Sequence, residues 1–235
     1  MRTIVYGNGK SRQKWNVNEK LDDVVTWGCN RIFDNVKVDN LVSVDYHVQH
    51  LIYESGYAHE NKCWFSDWTK LPQHFHDTIR HMYEHSNIVE NERKTRQHCI
   101  VNGKQQEPNK GLYITWVDER DMVRDIDIPR EWCSGTTAIH LACQHGSSEI
   151  YLMGFDLSEN PLNNVYEEFQ RGQKMDSDPH RFCHRSDWAN EMKTVIKEFP
   201  NTKFIWIEPH EKSMKFDMNN LTYDTYENIR RNICR

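Results

Sequence analysis

Long apolar runs and leader-like segments are missing from this sequence. No stretch of 18 consecutive apolar residues occurs among its 235 residues, which excludes an ordinary membrane-spanning helix. The chain enters a strand-like pattern between Met1 and Tyr6, without the charged head and apolar segment of a secretory signal. The sequence therefore predicts a soluble, cytoplasmic protein without a stable membrane anchor.

Cysteine pairs of the C-x-x-C type are missing as well. An odd number of cysteines without such pairs argues against a disulfide framework and against a zinc clip. We therefore expect reduced thiols. The seven cysteines are Cys29, Cys63, Cys99, Cys133, Cys143, Cys183 and Cys234.

The sequence also lacks a clustered basic face. Its 30 lysines and arginines are interspersed with 35 acidic residues, and the formal net charge is -5. Binding along a nucleic acid backbone requires a concentrated positive surface. A compact substrate is therefore predicted, and no nucleic acid partner.

Short apolar runs of strand length alternate with amphipathic stretches along the chain. This alternation predicts an α/β fold: a single Rossmann-like domain over residues 1–235, with a mostly parallel sheet and helices on both faces. Residues 67–110 are interpreted as an insertion or lid. The predicted strands are 3–6, 24–27, 41–44, 149–153 and 203–207, and the predicted helices are 134–146, 186–199 and 221–233, with Ser134 and Ser186 as N-caps of the first two.

Polar or glycine residues follow three successive predicted strands. Gly7, Asn8 and Gly9 follow the first, while Asn30 and Asp45 end the second and third. Ligands of open parallel sheets bind at the carboxyl ends of the strands, so these residues are candidates for nucleotide binding. The dinucleotide fingerprint is incomplete, because Arg12 replaces its third glycine. A tight strand-to-helix turn explains the glycines equally well.

A second candidate is the start of the predicted helix at Ser134 and Gly135. Unpaired N–H groups at a helix N-terminus suit a phosphate or a carboxylate. The alternative is an ordinary capped helix without a ligand.

A third candidate is a histidine pair, His180 and His184, just before the helix predicted from Ser186. A loop histidine with an ordinary pKa of about 6.5 suits general base catalysis at neutral pH. As metal ligands the two lack a third partner at a recognisable spacing, and most loop histidines carry no function.

Four ordered blocks together resemble the bacterial sialyltransferases of glycosyltransferase family 42. They cover about half of the chain, and the block from Ser134 to Asp156 is the most specific of them. The blocks are Ile4 to Ser11, Gly28 to Ile32, Ser134 to Asp156, and His180 to Ser186.

The resemblance implies a metal-independent, inverting transferase that takes a sugar from a CMP donor to a glycan or other hydroxyl acceptor. It needs no cofactor, has a lid at residues 157–183, and associates as a homo-oligomer, in the family often a tetramer. His184 is then the general base, His180 orients the loop or contacts the acceptor, and Tyr166 belongs to a tyrosine pair that binds the departing phosphate. The implied donor-binding residues are Gly7, Asn8, Gly9, Asn30, Asp45, Ser134, Gly135 and Asp156.

The sequence departs from the family pattern at several of these positions. Ser158 stands where the other tyrosine is expected, Asp45 replaces an asparagine, and Glu131 replaces an arginine, with Arg130 displaced by one. A carboxylate facing the carboxylate of sialic acid is unfavourable by about 1 to 4 kcal/mol. We therefore expect a neutral or amino sugar on the donor.

Three other functions remain open at this point. Metal-dependent transfer would use the D-x-D triplets at Asp125 to Asp127 or Asp176 to Asp178, and a chelator would abolish it. A non-catalytic nucleotide-binding or sequestering protein would keep the crevice and tolerate the lost tyrosine and arginine. A pyrophosphate-transferring enzyme would require ATP and Mg²⁺.

Overall fold

The computed structural model describes most of the chain, and the chain divides into two compact units. The first unit is Met1–Val42 with Arg130–Arg235, and the second is Ser43–Pro129. The described residues are 1–16, 21–66, 68–71, 98–100, 113–118, 122–128, 132–157, 164–166, 185–209 and 214–233. Among them, no helix is both long and apolar enough to cross a membrane.

Eleven strands lie among the described residues. In the first unit their order is β11-β10-β9-β1-β2-β3; in the second, β4 pairs with β8 and a three-stranded sheet has the order β5-β7-β6. The strands are β1 (Arg2–Tyr6), β2 (Val24–Cys29), β3 (Asn40–Ser43), β4 (Cys63–Phe65), β5 (Trp68–Leu71), β6 (His98–Ile100), β7 (Tyr113–Asp118), β8 (Val123–Asp125), β9 (Glu149–Met153), β10 (Lys203–Ile207) and β11 (Leu221–Asp224).

The first unit is built on parallel strands. β1 lies between β2 and β9 and runs parallel to both, with Tyr6 opposite Gly28 on one side and Met153 on the other. The predicted α/β, Rossmann-like fold with a mostly parallel sheet is confirmed. Its helices are α3 (Ser134–Gln144), α4 (Arg185–Glu198) and α5 (Tyr226–Ile233), with 3-10 helices at Lys10–Lys14 and Asn30–Asp34.

The second unit combines short helices with short strands. It contains α1 (Tyr46–Glu54) and α2 (Tyr57–Glu60), and β4 pairs with β8 in parallel. In its three-stranded sheet, β5 is parallel to β7 and β6 is antiparallel to it. Of the predicted insertion or lid at residues 67–110, only residues 68–71 and 98–100 are among the described residues. That the whole chain forms one functional domain stays a prediction.

The first unit's core is the central part of its sheet. β1 and β9 carry apolar side chains that are buried on both faces, as expected for parallel strands covered by helices. Ile4, Val5, Ile150 and Leu152 are fully enclosed. Strands of this kind read as continuous apolar runs, which is why β9 and β10 begin and end where the sequence predicted.

Three predicted helix boundaries differ from the observed ones. The N-cap of α3 is Cys133, whose thiol accepts a hydrogen bond from Thr136 N, so Ser134 is the first helical residue. Helix α4 begins at Arg185, so Ser186 lies inside it. The predicted helix 221–233 was wrong in its first part, because Leu221–Asp224 pairs with β10 and only Tyr226–Ile233 is helical. Pairing with a neighbouring strand overrode the local helical spacing.

Trp206 of β10 holds the loop that follows β9. Its side chain is fully buried, and its indole Nε1 donates a hydrogen bond of 3.0 Å to the carbonyl of Phe155. The ring also packs on Phe216 and Tyr223. The direction in which the chain leaves β9 therefore depends on a side chain of the next strand.

Replacing Trp206 by phenylalanine tests this dependence. Trp206→Phe keeps an aromatic ring but leaves the Phe155 carbonyl without its donor, so the free energy of unfolding should fall by about 1 to 3 kcal/mol. Urea denaturation followed by circular dichroism measures the change. Unaltered stability would mean that the indole hydrogen bond does not hold the loop.

Candidate functional site

The loops that follow β1 and β9 are in direct contact through their glycines. Gly7 N and Gly9 N donate hydrogen bonds of 2.7 and 2.9 Å to the carbonyls of Met153 and Gly154. A Cβ atom on Gly7 would lie 2.5 Å from the Gly154 carbonyl oxygen, and one on Gly9 would lie 2.5 Å from Asp156 Oδ2. The glycines are therefore required for the chain's approach to itself, whatever they also do for a ligand.

Asn8, between these glycines, points its side chain toward the end of β2. Its Nδ2 donates to the Cys29 carbonyl at 3.1 Å, and its backbone carbonyl accepts from Val165 N at 2.9 Å. Its Oδ1 is buried and has no hydrogen-bond partner among the described residues. An unpaired buried amide oxygen is costly unless a donor meets it, so this atom suits a ligand N–H or O–H.

Asn30 and Asp45 follow their strands as the sequence predicted. Asn30 begins the second 3-10 helix in a left-handed conformation, with φ of 52°, directly after the Cys29 that Asn8 contacts. Asp45 belongs to the second unit, where it is the exposed residue before the start of α1. Asn8 and Asn30 thus lie at the ends of two adjacent strands.

The start of α3 adjoins the loop after β9. Ser134 is buried, and a Cβ atom on Gly135 would lie 3.1 Å from Cε1 of Phe155. The helix enters at the carboxyl edge of the sheet because it leads into β9, which runs back parallel to β1. Burial is the main cause that raises the pKa of the Cys133 thiol at the N-cap, so this cysteine is a neutral cap.

Asp156 has a local partner. Its Oδ2 accepts from Ser11 N at 3.0 Å and its Oδ1 accepts from the Ser11 hydroxyl. The carboxylate is almost fully buried at 3% exposure. It joins the loop after β9 to the first 3-10 helix, so its contribution to a donor site would come on top of this structural role.

Tyr166 is brought to the same edge by backbone pairing. Asn164 forms an antiparallel bridge with Gly9, and Val165 N donates to Asn8 O. The Tyr166 hydroxyl donates to Asn35 Oδ1 at 2.8 Å and accepts from Arg12 Nη2 at 3.3 Å. The segment 164–166 therefore packs on the loop that follows β1, residues 7–9 (the glycine loop). It places the phenol of Tyr166 beside the guanidinium of Arg12.

The environment keeps Tyr166 protonated. Burial raises the pKa of its phenol above the ordinary value, while the neighbouring Arg12 charge lowers it in part. A phenol with a raised pKa is neutral at physiological pH. Tyr166 is therefore a hydrogen-bond donor there, as a group that stabilises a departing phosphate must be.

Arg12 and Asn35 were not predicted as site residues from the sequence. Arg12 was noted only because it occupies the place of the third glycine of the dinucleotide fingerprint, and nothing in the sequence distinguished Asn35. Their role follows from the contact of each with the Tyr166 hydroxyl. No local pattern could have shown it, since 131 and 154 residues separate the partners in sequence.

Several predicted residues lie outside the described residues. These are His180, His184, Ser158, Glu131, Arg130 and the Asp176 to Asp178 triplet. Among the residues that the structure does describe, no group of three or more histidine, cysteine or acidic side chains is arranged to hold a metal ion. The described cysteines of the first unit, Cys29, Cys133 and Cys143, are free thiols.

Similarity to known proteins is limited to fold. No family model and no curated protein matches the chain. Among solved structures, the chain is similar to the sialyltransferase CST-II in complex with a trisaccharide acceptor and CMP, at 12% identity and a TM-score of 0.45 over 88% of this chain and 80% of that one. It is also similar to CstII from Campylobacter jejuni in complex with the substrate analogue CMP-3FNeuAc, at 13% identity and a TM-score of 0.42 over 87% and 79%. Values this low carry no information about activity.

Substituting the glycines tests the contact between the two loops. Gly7→Ala should lower the free energy of unfolding by about 1 to 3 kcal/mol, because its new methyl group meets backbone atoms that have nowhere to move. Gly135→Ala is the matched control, since its methyl meets only the Phe155 ring and alanine favours the helix. Thermal unfolding of both variants measures the difference, and equal stability would contradict the contact.

Proposed function

We propose that this protein is a glycosyltransferase that moves a sugar from a CMP donor to an acceptor hydroxyl with inversion. The observation that carries the proposal is the position of Tyr166, held by the Gly9–Asn164 bridge next to Asn8 and Arg12 at the carboxyl edge of a parallel sheet. The four sequence blocks that resemble family 42 supply the reaction type. Three of these blocks, Ile4 to Ser11, Gly28 to Ile32 and Ser134 to Asp156, meet at this edge of the sheet.

The polar atoms at this edge suit a nucleotide. The buried Asn8 Oδ1 accepts from an amine or hydroxyl of the nucleoside, and Asn30 lies at the end of the adjacent strand. The N-terminus of α3 at Ser134 adds partial positive charge, which suits the phosphate. The contacts described above shape this edge, and they involve Gly7, Gly9, Gly135 and Asp156. Asp45 stays a proposed donor-binding residue.

The proposed chemistry divides between two side chains. Tyr166 donates its proton in a hydrogen bond to the phosphate oxygen on which charge grows as the bond to the sugar breaks. His184, which directly precedes α4, removes the proton from the acceptor hydroxyl as that oxygen attacks the anomeric carbon from the opposite face. His180 orients this loop or contacts the acceptor. The phosphate does not need to be protonated in order to leave. No metal or other cofactor is assigned to the step.

A nucleotide panel tests the proposal directly. CMP should raise the melting temperature of the full chain more than UMP, GMP or AMP, and a CMP-sugar should be hydrolysed slowly without an acceptor. Binding of CMP without hydrolysis or transfer of any CMP-sugar would favour the nucleotide-binding alternative. A requirement for ATP and Mg²⁺ would favour pyrophosphate transfer. A panel of donors also tests the proposed neutral or amino sugar, which CMP-sialic acid as the best donor would contradict.

Removing the proposed base tests the mechanism. His184→Ala should lower kcat by about 10² to 10⁴ while leaving the dissociation constant for CMP unchanged, because the imidazole acts on the acceptor. His180→Ala is the matched control and should change KM for the acceptor more than kcat. Steady-state kinetics and calorimetry provide both values. Full turnover by His184→Ala would remove this residue from the mechanism.

A further inference from the structure

Arg12 is a buried cation that forms no ion pair with a carboxylate among the described residues. Only 5% of the residue is exposed, and its Nε is buried with no hydrogen-bond partner among the described residues. Its side-chain contacts within that part of the chain include the hydrogen bond from Nη2 to the Tyr166 hydroxyl oxygen and the packing of the guanidinium over the Tyr166 ring, 5.8 Å from its centroid. Neither contact neutralises the charge.

The structure holds Arg12 in this position firmly. Arg12 N donates to Gly9 O, and Trp15 N donates to Arg12 O, within the first 3-10 helix. A Cβ atom on Gly154 would lie 3.0 Å from Cβ of Arg12, so the absence of a side chain at Gly154, in the loop after β9, leaves room for the arginine. The nearby Asp156 carboxylate is bonded to Ser11 instead. The guanidinium is therefore fixed in place and removed from water, and no carboxylate among the described residues forms a hydrogen bond or ion pair with it.

An isolated charge removed from water is strongly destabilising unless an opposite charge meets it. A folded chain that keeps such a group at a ligand-binding edge is ready to receive an anion, because the cost of removing the cation from water is already included in folding. The candidate anion is the phosphate of the nucleotide, since Arg12 contacts the one side chain proposed to bind it.

We propose that Arg12 is the cation of this site, which positions Tyr166 and attracts the phosphate that Tyr166 binds. This inference rests on the proposed function and extends it to a residue that neither the family resemblance nor the motif analysis assigned to the donor. Arg12 acts as a positioning residue for Tyr166 and adds selectivity for the phosphorylated nucleoside.

The expected size of the effect follows from distance. A phosphate oxygen bound to Tyr166 at about 2.7 Å lies no more than about 6 Å from Arg12 Nη2, given the 3.3 Å between Nη2 and the phenol oxygen. Two unit charges at this separation change an equilibrium constant by about 3- to 100-fold at effective dielectric constants between 80 and 20. The partly buried position favours the middle of this interval, roughly tenfold.

The test compares two ligands that differ only in the phosphate. Dissociation constants of CMP and cytidine are measured by calorimetry for the full chain and for Arg12→Gln, which keeps a hydrogen-bond donor but removes the charge. The preference for CMP over cytidine should fall about tenfold in Arg12→Gln and should be largely restored in Arg12→Lys. Affinity for cytidine should not change, which separates this role from a general structural one.

Lys14→Gln is the matched control. It removes one positive charge from the same 3-10 helix, but Lys14 is exposed and pairs with Glu208 at 2.8 Å. Its preference for CMP should equal that of the wild type. Arg12→Met is the second variant, should Arg12→Gln fail to fold, because an apolar side chain of similar length replaces the buried charge without leaving an unpaired polar group.

The outcomes separate the two proposals. If the wild type binds both ligands and the Arg12 variants keep its full preference for CMP, the role of Arg12 is overturned while the proposed function stands. If the wild type binds neither ligand, the proposed function fails and the inference fails with it. An equal loss of preference in Lys14→Gln would also overturn the inference, because it would reflect only the overall charge.

Discussion

The arrangement at the carboxyl edge of the first unit depends on the close approach of the loops after β1 and β9. Gly7 and Gly9 pack directly on the Gly154 carbonyl, and Gly9 also packs on the Asp156 carboxylate, at distances that a Cβ atom on either glycine would not allow. The two backbone hydrogen bonds across this contact extend the pairing of β1 with β9 beyond the strands themselves. The candidate site is thus a continuation of the sheet. It forms where glycines, which have no side chains, let the loops after the two parallel strands approach each other closely.

This approach explains why distant residues share one location. The glycine loop carries Asn8 and, one turn later, Arg12, and it also provides the edge on which Asn164 docks. Trp206 fixes the other side of the contact through the Phe155 carbonyl. The buried Trp206 therefore acts on the site indirectly, because it sets the path of the loop after β9. The packed core and the candidate site are connected through a few backbone atoms, such as the carbonyls of Met153, Gly154 and Phe155.

The sheet could be predicted from the sequence because its strands are buried on both faces, and continuous apolar runs such as Ile150–Met153 leave little ambiguity. The β11 strand could not, because the helical spacing of Tyr226, Ile229 and Ile233 suggested one helix from Leu221 onward, and only pairing with β10 decides otherwise. Asn8 and Asn30 each follow a predicted strand, which also indicated that the two residues lie at the ends of neighbouring strands, as the contact of Asn8 with Cys29 shows. The positions of Arg12 and Asn35 beside Tyr166 could not be predicted. They depend on contacts between residues more than a hundred positions apart in the sequence, about which composition and spacing contain no information.

The hydroxyl of Tyr166 has a single proton, and in this structure it is donated to Asn35 Oδ1. Any acceptor that enters, a phosphate oxygen included, must compete with that amide for the same hydrogen. The amide oxygen therefore already accepts the one hydrogen that the phenol can donate. Because hydrogen bonds to charged acceptors are stronger than those to neutral ones, a charged acceptor would compete better for this hydrogen than a neutral one.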